Sequence, residues 1–380
     1  MALTSSVLHG NSIRQTTPPA MQGNAKVLLP GLFQQTCKSI GIDDDILSKH
    51  ILLMGGTGCG KTNLFFYFIR QLKASMSEND VMIIFDTKGD YFSRFHAPGD
   101  IVLSNSKQYA DVMSKWNIFR EIVADGWEDE DVLSNTYEIT RSLFRDAVED
   151  SGQPFFPSAA RDLLAALIMA HIRMGTNDPA FRKKFLNNKE LKYYLDITNP
   201  KKITSLLSAF PDLASVLTYI GDGSSDQALG VMAELQSVIR QIFIGAFSGD
   251  GRFSVRKFVR EKSARTLFIE YDLSIGETLV PIYRLLFDLA LKEAMGRRKS
   301  EGNVYFICDE FKLLPHLQHI EDGVNFGRSL GVKIMAGIQS VEQLYEIYGD
   351  SKGKNIAAGF SSIFAFKSND TGSRNYVSEL

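Results

Sequence analysis

The octet Gly55-Gly56-Thr57-Gly58-Cys59-Gly60-Lys61-Thr62 follows directly on the apolar run Ile51-Leu52-Leu53-Met54 and precedes a helix-like segment. Strand, glycine-rich loop and helix in that order form the context of a phosphate-binding loop, and few local features restrict a fold more tightly. Its four glycines let the backbone turn with N–H groups facing inward, while the positive end of the following helix adds attraction for a polyphosphate. In this frame Lys61 reaches the β- and γ-phosphates of ATP and Thr62 holds Mg²⁺. Gly55, Gly56, Thr57, Gly58, Cys59, Gly60, Lys61 and Thr62 are therefore the expected nucleotide-binding set.

The rest of the chain fits a fold built around that loop. Apolar, β-rich runs lie at 51–54, 81–85, 101–103, 266–271, 304–308, 332–338 and 363–366, and they read as strands buried on both faces. Helical patterns fall at 63–74, 278–296, 319–330 and 340–348. Alternation of this kind predicts an α/β protein, a P-loop NTPase (RecA-like) with a mostly parallel twisted sheet flanked by helices. From about 131 to 247 the strand signal stops and helices follow one another, broken by Gly175, Pro179, Pro200, Pro211 and Gly221-Asp222-Gly223. The expected organisation is a flexible arm over 1–24, a nucleotide-binding domain over 25–174 and 248–380, and an all-alpha inserted domain over 175–247. The apolar helix around Ala159 to Ile168 is expected to pack on the sheet.

Composition limits the function classes. The 380 residues are 44% hydrophobic and 23% charged with a formal net charge of −2, so a nucleic-acid partner must meet local basic patches or a ring-shaped assembly. Arg182-Lys183-Lys184, Lys189, Lys192 and Lys201-Lys202, followed by Arg252, Arg256, Lys257 and Arg260, supply such charge, and a solvated helix surface explains them equally well. The acidic stretch 121–150 reads as a solvated face. Cys37, Cys59 and Cys308 have neither disulfide nor metal-ligand spacing, which points to a reducing, cytoplasmic compartment. No run approaches the roughly 20 apolar residues that span a bilayer, and the start of the chain lacks a basic-then-apolar signal pattern.

Hydrolysis of ATP needs more than the loop: a carboxylate for Mg²⁺ and a group to orient water. Val304-Tyr305-Phe306-Ile307-Cys308 brings Asp309 and Glu310 to the carboxyl end of a strand, Asp309 for the Mg²⁺ shell and Glu310 to polarise water. Gln339 ends the strand-like run Val332 to Ile338, where an amide can contact both γ-phosphate and water, or simply open the next helix. Arg328 lies at the opposite end of that strand, far from its own loop, either as an ordinary surface ion pair or as an arginine reaching a neighbouring subunit's ATP. Asp86-Thr87-Lys88-Gly89-Asp90 closes another strand nearby, as a turn with a phosphate contact or a purely structural role.

With these residues in order the chain resembles the TraG/TraD-type coupling proteins of type IV secretion and conjugative DNA transfer, themselves similar to the FtsK/HerA translocases. The resemblance rests on His50 before the loop, Phe85 to Asp90, Trp116-Asn117-Ile118-Phe119, Asp309-Glu310-Phe311 with Leu314-Pro315, Gly327 to Val332, and Gln339 to Leu344 leading to Tyr348-Gly349. It covers about 45 to 380. It implies a hexameric ATPase with ATP and Mg²⁺ at each subunit boundary and single- or double-stranded DNA in a central channel. Lys61 and Thr62 would bind phosphate and metal, Asp309 and Glu310 would serve Mg²⁺ and water, Gln339 would sense the γ-phosphate, and Arg328 would complete the neighbour's site. The all-alpha domain would choose a relaxase, relaxosome or effector cargo, with the secretion channel as a further partner.

Two departures qualify that expectation. Transmembrane helices usual at the start of family members are not seen here, which predicts either a soluble branch or a cytoplasmic piece held at the inner membrane by a missing segment or a partner. The last residues read as an uncompleted helix, so a C-terminal truncation is expected, and with it a monomer for this polypeptide alone. Besides the DNA translocase, two readings stay open: a nucleotide-gated receptor or adaptor for relaxase or effector proteins, and a HerA/FtsK-like DNA motor in another pathway.

Overall fold

The computed structural model describes residues 24–33, 36–274, 276–296 and 301–380. Apart from Asn24, the arm expected over 1–24 lies outside the described residues, as does the side chain of Cys37. Nine strands are found among them: β1 (Val27–Phe33), β2 (Thr36–Ile42), β3 (Ile51–Met54), β4 (Val81–Asp86), β5 (Ile101–Ser104), β6 (Thr266–Glu270), β7 (Val304–Cys308), β8 (Val332–Ile338) and β9 (Ser362–Ala365). The seven runs read as strands from the sequence become one sheet in the order β5-β6-β4-β7-β8-β3-β9, with every neighbouring pair parallel. Strands β4, β6, β7 and β8 are buried at every position, which is why they appear as mainly apolar runs rather than alternating ones, with Lys333 of β8 the one charged residue inside a strand and Asp86 and Glu270 at strand ends.

Side chains alternate between the two faces of each strand and meet different helices. On one face Leu53, Ile84, Ile307 and Met335 pack with Phe65, Phe68, Ile69 and Leu72 of the helix Lys61–Ser75. On the other, Leu52, Ile83, Phe306 and Ala336 share a larger cluster with the helices Phe155–Thr176 and Gly276–Met295. The helix Phe155–Thr176 is long and apolar enough by length and composition to cross a membrane, which corrects the expectation that no run approaches that length. Inside this fold 72% of its apolar window is buried, with Leu163, Leu164, Leu167 and Ile168 in the core.

Between β5 and β6 the described residues contain no strand, as the sequence predicts. Six of the helices there start on side-chain caps: Asn117, Asp178, Asn187, Asn199, Ser225 and Ser254 each accept a hydrogen bond from a backbone N–H of the first turn, and Pro179 and Pro200 occupy first-turn positions. Leu191, Leu195, Ile203, Leu207 and Leu235 belong to the same buried cluster as the sheet. The limits 25–174, 248–380 and 175–247 for two domains therefore stand as a proposal drawn from chain order.

Three local features depart from the sequence reading. The antiparallel ribbon β1–β2 has no counterpart in it; Pro30-Gly31 interrupts the pattern of β1, a strand with only one partner. This ribbon rests on the helix Lys61–Ser75, where the Gln71 amide pairs with the backbone of Leu28 in both directions, at 2.9 and 3.1 Å. The helix expected over 319–330 is an α-helix only over Ile320–Phe326 and continues as a 3₁₀ turn over Gly327–Leu330. A helix at Asp350–Gly359 adds to the expected set.

Candidate active site

The loop between β3 and the helix Lys61–Ser75 is pinned at its start. Gly55 N–H donates to Ile338 O at 3.2 Å and Gly56 N–H to Lys367 O at 3.1 Å. Gly60 has φ +107° and Gly58 φ +75°, backbone conformations that glycine adopts without strain. Lys61 is buried and donates Nζ to Gly55 O at 2.6 Å and Gly56 O at 3.2 Å. A cleft of about 190 Å³ opens here, lined by Thr57, Gly58, Gly60, Lys61, Thr62, Asn63, Lys88, Asp309 and Glu310.

Asp309 reaches this cleft from the far side of a strand. Strand β8 lies between β7 and β3, and Asp309, immediately after β7, still meets the loop: Thr62 Oγ1 donates to Asp309 Oδ2 at 2.6 Å. Tyr91 OH donates to the same oxygen at 2.7 Å. Burial, with the Asp309 carboxylate next to it, pushes the Tyr91 phenol well above its ordinary value and keeps it a donor. No group of three or more metal-ligating side chains occurs among the described residues. A hydroxyl and a carboxylate oxygen side by side are a hard-oxygen pair that fits Mg²⁺, which commonly takes one or two protein ligands and completes its shell with phosphate and water.

Other groups brace the same edge. Asp86, at the end of β4, accepts backbone hydrogen bonds from Lys88 (3.1 Å), Gly89 (2.9 Å), Tyr91 (2.8 Å) and Phe92 (3.0 Å). The turn 86–92 thereby aims Lys88 at the cleft and Tyr91 at Asp309, so Asp86 itself is structural. His50, with φ +57°, accepts the Ile334 N–H on Nδ1 at 3.0 Å and ties the start of β3 to β8. Burial, then the nearby Lys333, lowers its pKa to about 4, so it is neutral. Trp116 and Asn117 lie outside the cleft, in a separate buried network.

The expected site residues are thus distributed unevenly. Lys61, Thr62, Asp309 and Glu310 converge on one cleft with the loop glycines. Gln339 follows β8, beside Gly55 and between the ends of β3 and β7, but does not line the cleft; its backbone N–H donates to Gln343 Oε1 at 3.0 Å. Arg328 stands before β8, at the opposite edge of the sheet, half-exposed and paired with Asp45 at 2.8 Å. Sequence reading missed Tyr91 as a partner of Asp309. The nearest signal was its place directly after the motif Asp86 to Asp90, whose glycine turn redirects the chain toward β7.

Comparisons with known proteins bear on the family and the fold. The sequence is 22% identical over 317 residues to the coupling protein TraD of Escherichia coli (strain K12), covering 81% of this chain and 40% of that relative. The chain therefore spans well under half the length of that curated relative. The fold is similar to the plasmid coupling protein TrwB solved with ADP and Mg²⁺ (TM-score 0.62, 22% identity, 85% of this chain and 72% of that one). It is also similar to VirB4 of Thermoanaerobacter pseudethanolicus (TM-score 0.55, 15% identity, 95% and 89%). The profile of the type IV secretion-system coupling protein DNA-binding domain matches residues 35–380. The chain belongs to that family of type IV secretion coupling-protein DNA-binding domains.

Proposed function

We propose that this chain is the motor part of an ATP-driven coupling ATPase that moves DNA and recruits its protein cargo for type IV secretion or conjugation. The observation that carries this reading is the convergence of Lys61, Thr62, Asp309 and Glu310 on one cleft. In the proposed cycle the loop N–H groups and Lys61 bind the phosphates of ATP, and Lys88 approaches from the β4 side. Thr62 and Asp309 would hold Mg²⁺, oriented by Tyr91. When bound, the metal offsets phosphate charge and polarises the transferred group. Glu310, whose side chain faces the same cleft, orients the attacking water, and Gln339 senses from the neighbouring strand end whether the γ-phosphate is intact.

Arg328 is too far from its own loop to act there. A ring of six copies with ATP at each boundary would bring it to a neighbour's nucleotide, and DNA would run through the channel. The helical segment 175–247 would present relaxase or effector cargo, and the assembly would work on the cytoplasmic side of the inner membrane against the secretion channel. The TrwB structure with ADP and Mg²⁺ supports nucleotide and metal use at this fold.

ATP turnover measured against protein concentration, with and without single- and double-stranded DNA and beside light-scattering mass, tests this proposal. Turnover that climbs with assembly and DNA is the expected result. A DNA-blind rate in a confirmed ring would defeat the motor and favour a nucleotide-gated adaptor.

A further inference from the structure

Five cationic side chains, Arg120, Arg182, Lys183, Arg252 and Lys257, line one cavity of about 630 Å³, and Asp250 is the sole acid among its lining residues. None of the five is within ion-pair distance of a carboxylate among the described residues. Nearby Arg256 and Arg260 show the contrast, since both are paired with Asp125 and Glu293. The acidic run Glu128 to Asp131 begins close by in sequence, yet none of it lines the cavity, and Asp129 is engaged by Arg173. Positive charge is therefore concentrated here, in a chain whose net charge is −2.

The cavity is also preformed. Buried Asn117 donates Nδ2 to Leu186 O at 3.0 Å and Gly251 O at 2.8 Å, stapling together the two segments that carry Lys183 and Arg252. Its Oδ1 accepts from the N–H groups of Phe119 and Arg120. Asn188 reciprocates, accepting from Ile118 N–H at 2.9 Å and donating to Trp116 O and Phe247 O. Buried Glu121 accepts from Trp116 Nε1 at 2.8 Å, Ser254 Oγ at 2.8 Å and Val255 N–H at 2.6 Å, which fixes the helix Val255–Glu261 that bears Lys257. The Arg182 guanidinium lies 4.1 Å from the Trp127 ring centroid and donates to Gly175 O and Thr176 O, so its charge is held in place.

Unpaired cations on rigid walls beside an aromatic plane match closely spaced phosphates better than any neutral ligand. We infer that this cavity is a second phosphate-binding site, separate from the Gly55–Thr62 loop, and that it takes the phosphodiester backbone of a nucleic-acid strand. The inference rests on the DNA-motor proposal above and supplies it with a binding surface.

The test is fluorescence anisotropy of a labelled single-stranded oligothymidine over a salt series. It compares the full chain with R252E/K257E, with R120Q/K183Q, and with K201E/K202E as a charge reversal at two exposed positions of the helix Pro200–Leu207. R252E/K257E should bind at least about tenfold more weakly, and R120Q/K183Q should lower the salt slope by about 0.7 for each phosphate no longer neutralised. K201E/K202E should stay near wild type, and all variants should retain wild-type affinity for a fluorescent ATP analogue, showing that they fold. Equal losses in both charge reversals, or none in either cavity variant, would overturn the site. So would displacement of the strand by inorganic triphosphate or polyglutamate as readily as by unlabelled oligonucleotide, which would mark a free-phosphate or acidic-peptide site instead. Binding by wild type with unaffected cavity variants sinks this inference alone, whereas absence of binding by wild type sinks the DNA-motor reading with it.

Discussion

Tyr91 donates its hydroxyl to Asp309 Oδ2 at 2.7 Å, onto the same oxygen that accepts from Thr62. Two donors on one oxygen fix the carboxylate's rotation and leave Oδ1 without that constraint. Removing the hydroxyl in Tyr91→Phe keeps the ring packed against Phe65 and Phe66 but takes away one of the two donors on the carboxylate, leaving that of Thr62. The expected loss in stability is about 1 kcal/mol, while the Mg²⁺ concentration for half-maximal nucleotide binding should rise about tenfold, as for other groups that orient a metal ligand. A Mg²⁺ titration of analogue binding checks this; an unchanged midpoint would remove Tyr91 from the site.

Gly337 lies across from the same carboxylate-bearing residue. A Cβ added there would sit 2.2 Å from the Asp309 carbonyl oxygen and 2.9 Å from its carbonyl carbon. Neither backbone can yield easily, because β8 is hydrogen-bonded on both sides. Gly337→Ala should cost about 1–3 kcal/mol as an overpacked site and weaken Mg²⁺-dependent binding along with it. Urea unfolding monitored by circular dichroism reads the first effect, and an unchanged midpoint would show that β7 and β8 separate freely at this point.

Glu270 offers a pH signature. It ends β6 in register with Asp86 of β4, and burial first, then the Asp86 charge, pushes its carboxyl up to about 8. Oε2 accepts from Tyr109 OH at 2.7 Å, and buried Oε1 has no partner. Since the folded value is above the ordinary 4.5, the contribution is fully present below that value and is lost as pH rises toward about 8. Glu270→Gln keeps an acceptor for Tyr109 and has no charge to bury, so it should be more stable than wild type at pH 9 by about 1–3 kcal/mol, with the gap closing toward pH 5. Melting temperatures across that range decide it; a constant gap would exclude titration of Glu270.

Lys61 and Arg328 should separate binding from turnover. Lys61→Ala removes the buried ammonium at the loop and should abolish tight ATP binding. Arg328→Ala breaks only an exposed pair with Asp45, a kind of interaction that contributes little to stability. It should leave ATP affinity intact and lower turnover by about 10³ in an assembled ring, the smaller effect known for arginines acting in trans. Normal hydrolysis by Arg328→Ala in a confirmed oligomer would end the trans assignment.

The inner strands of the sheet were legible because burial on both faces writes itself into the chain as largely apolar runs, as in Val304 to Cys308, whereas the edge strand β9, expected to be buried on both faces, has no fully buried position. The ribbon β1–β2 was not, because Pro30, Gly31, Ser39 and Gly41 blur any alternation and its anchor is Gln71 of a helix later in the chain, bonded to Leu28. The phosphate loop was legible for a different reason: its glycines, Lys61 and Thr62 are neighbours in sequence, so the chemistry is local.

By itself, then, the sequence determined the class of fold, the loop, and the pairing of that loop with Asp309-Glu310. Only the tertiary structure decided that β8 stands between β3 and β7, that Tyr91 orients Asp309, that Arg328 pairs with Asp45, and that Arg120, Lys183 and Arg252 share one cavity. Local pattern reports which residues turn, extend or bury. Strand order and the approach of distant side chains depend instead on how helices of particular length cover both faces of the sheet, a property of the packed whole.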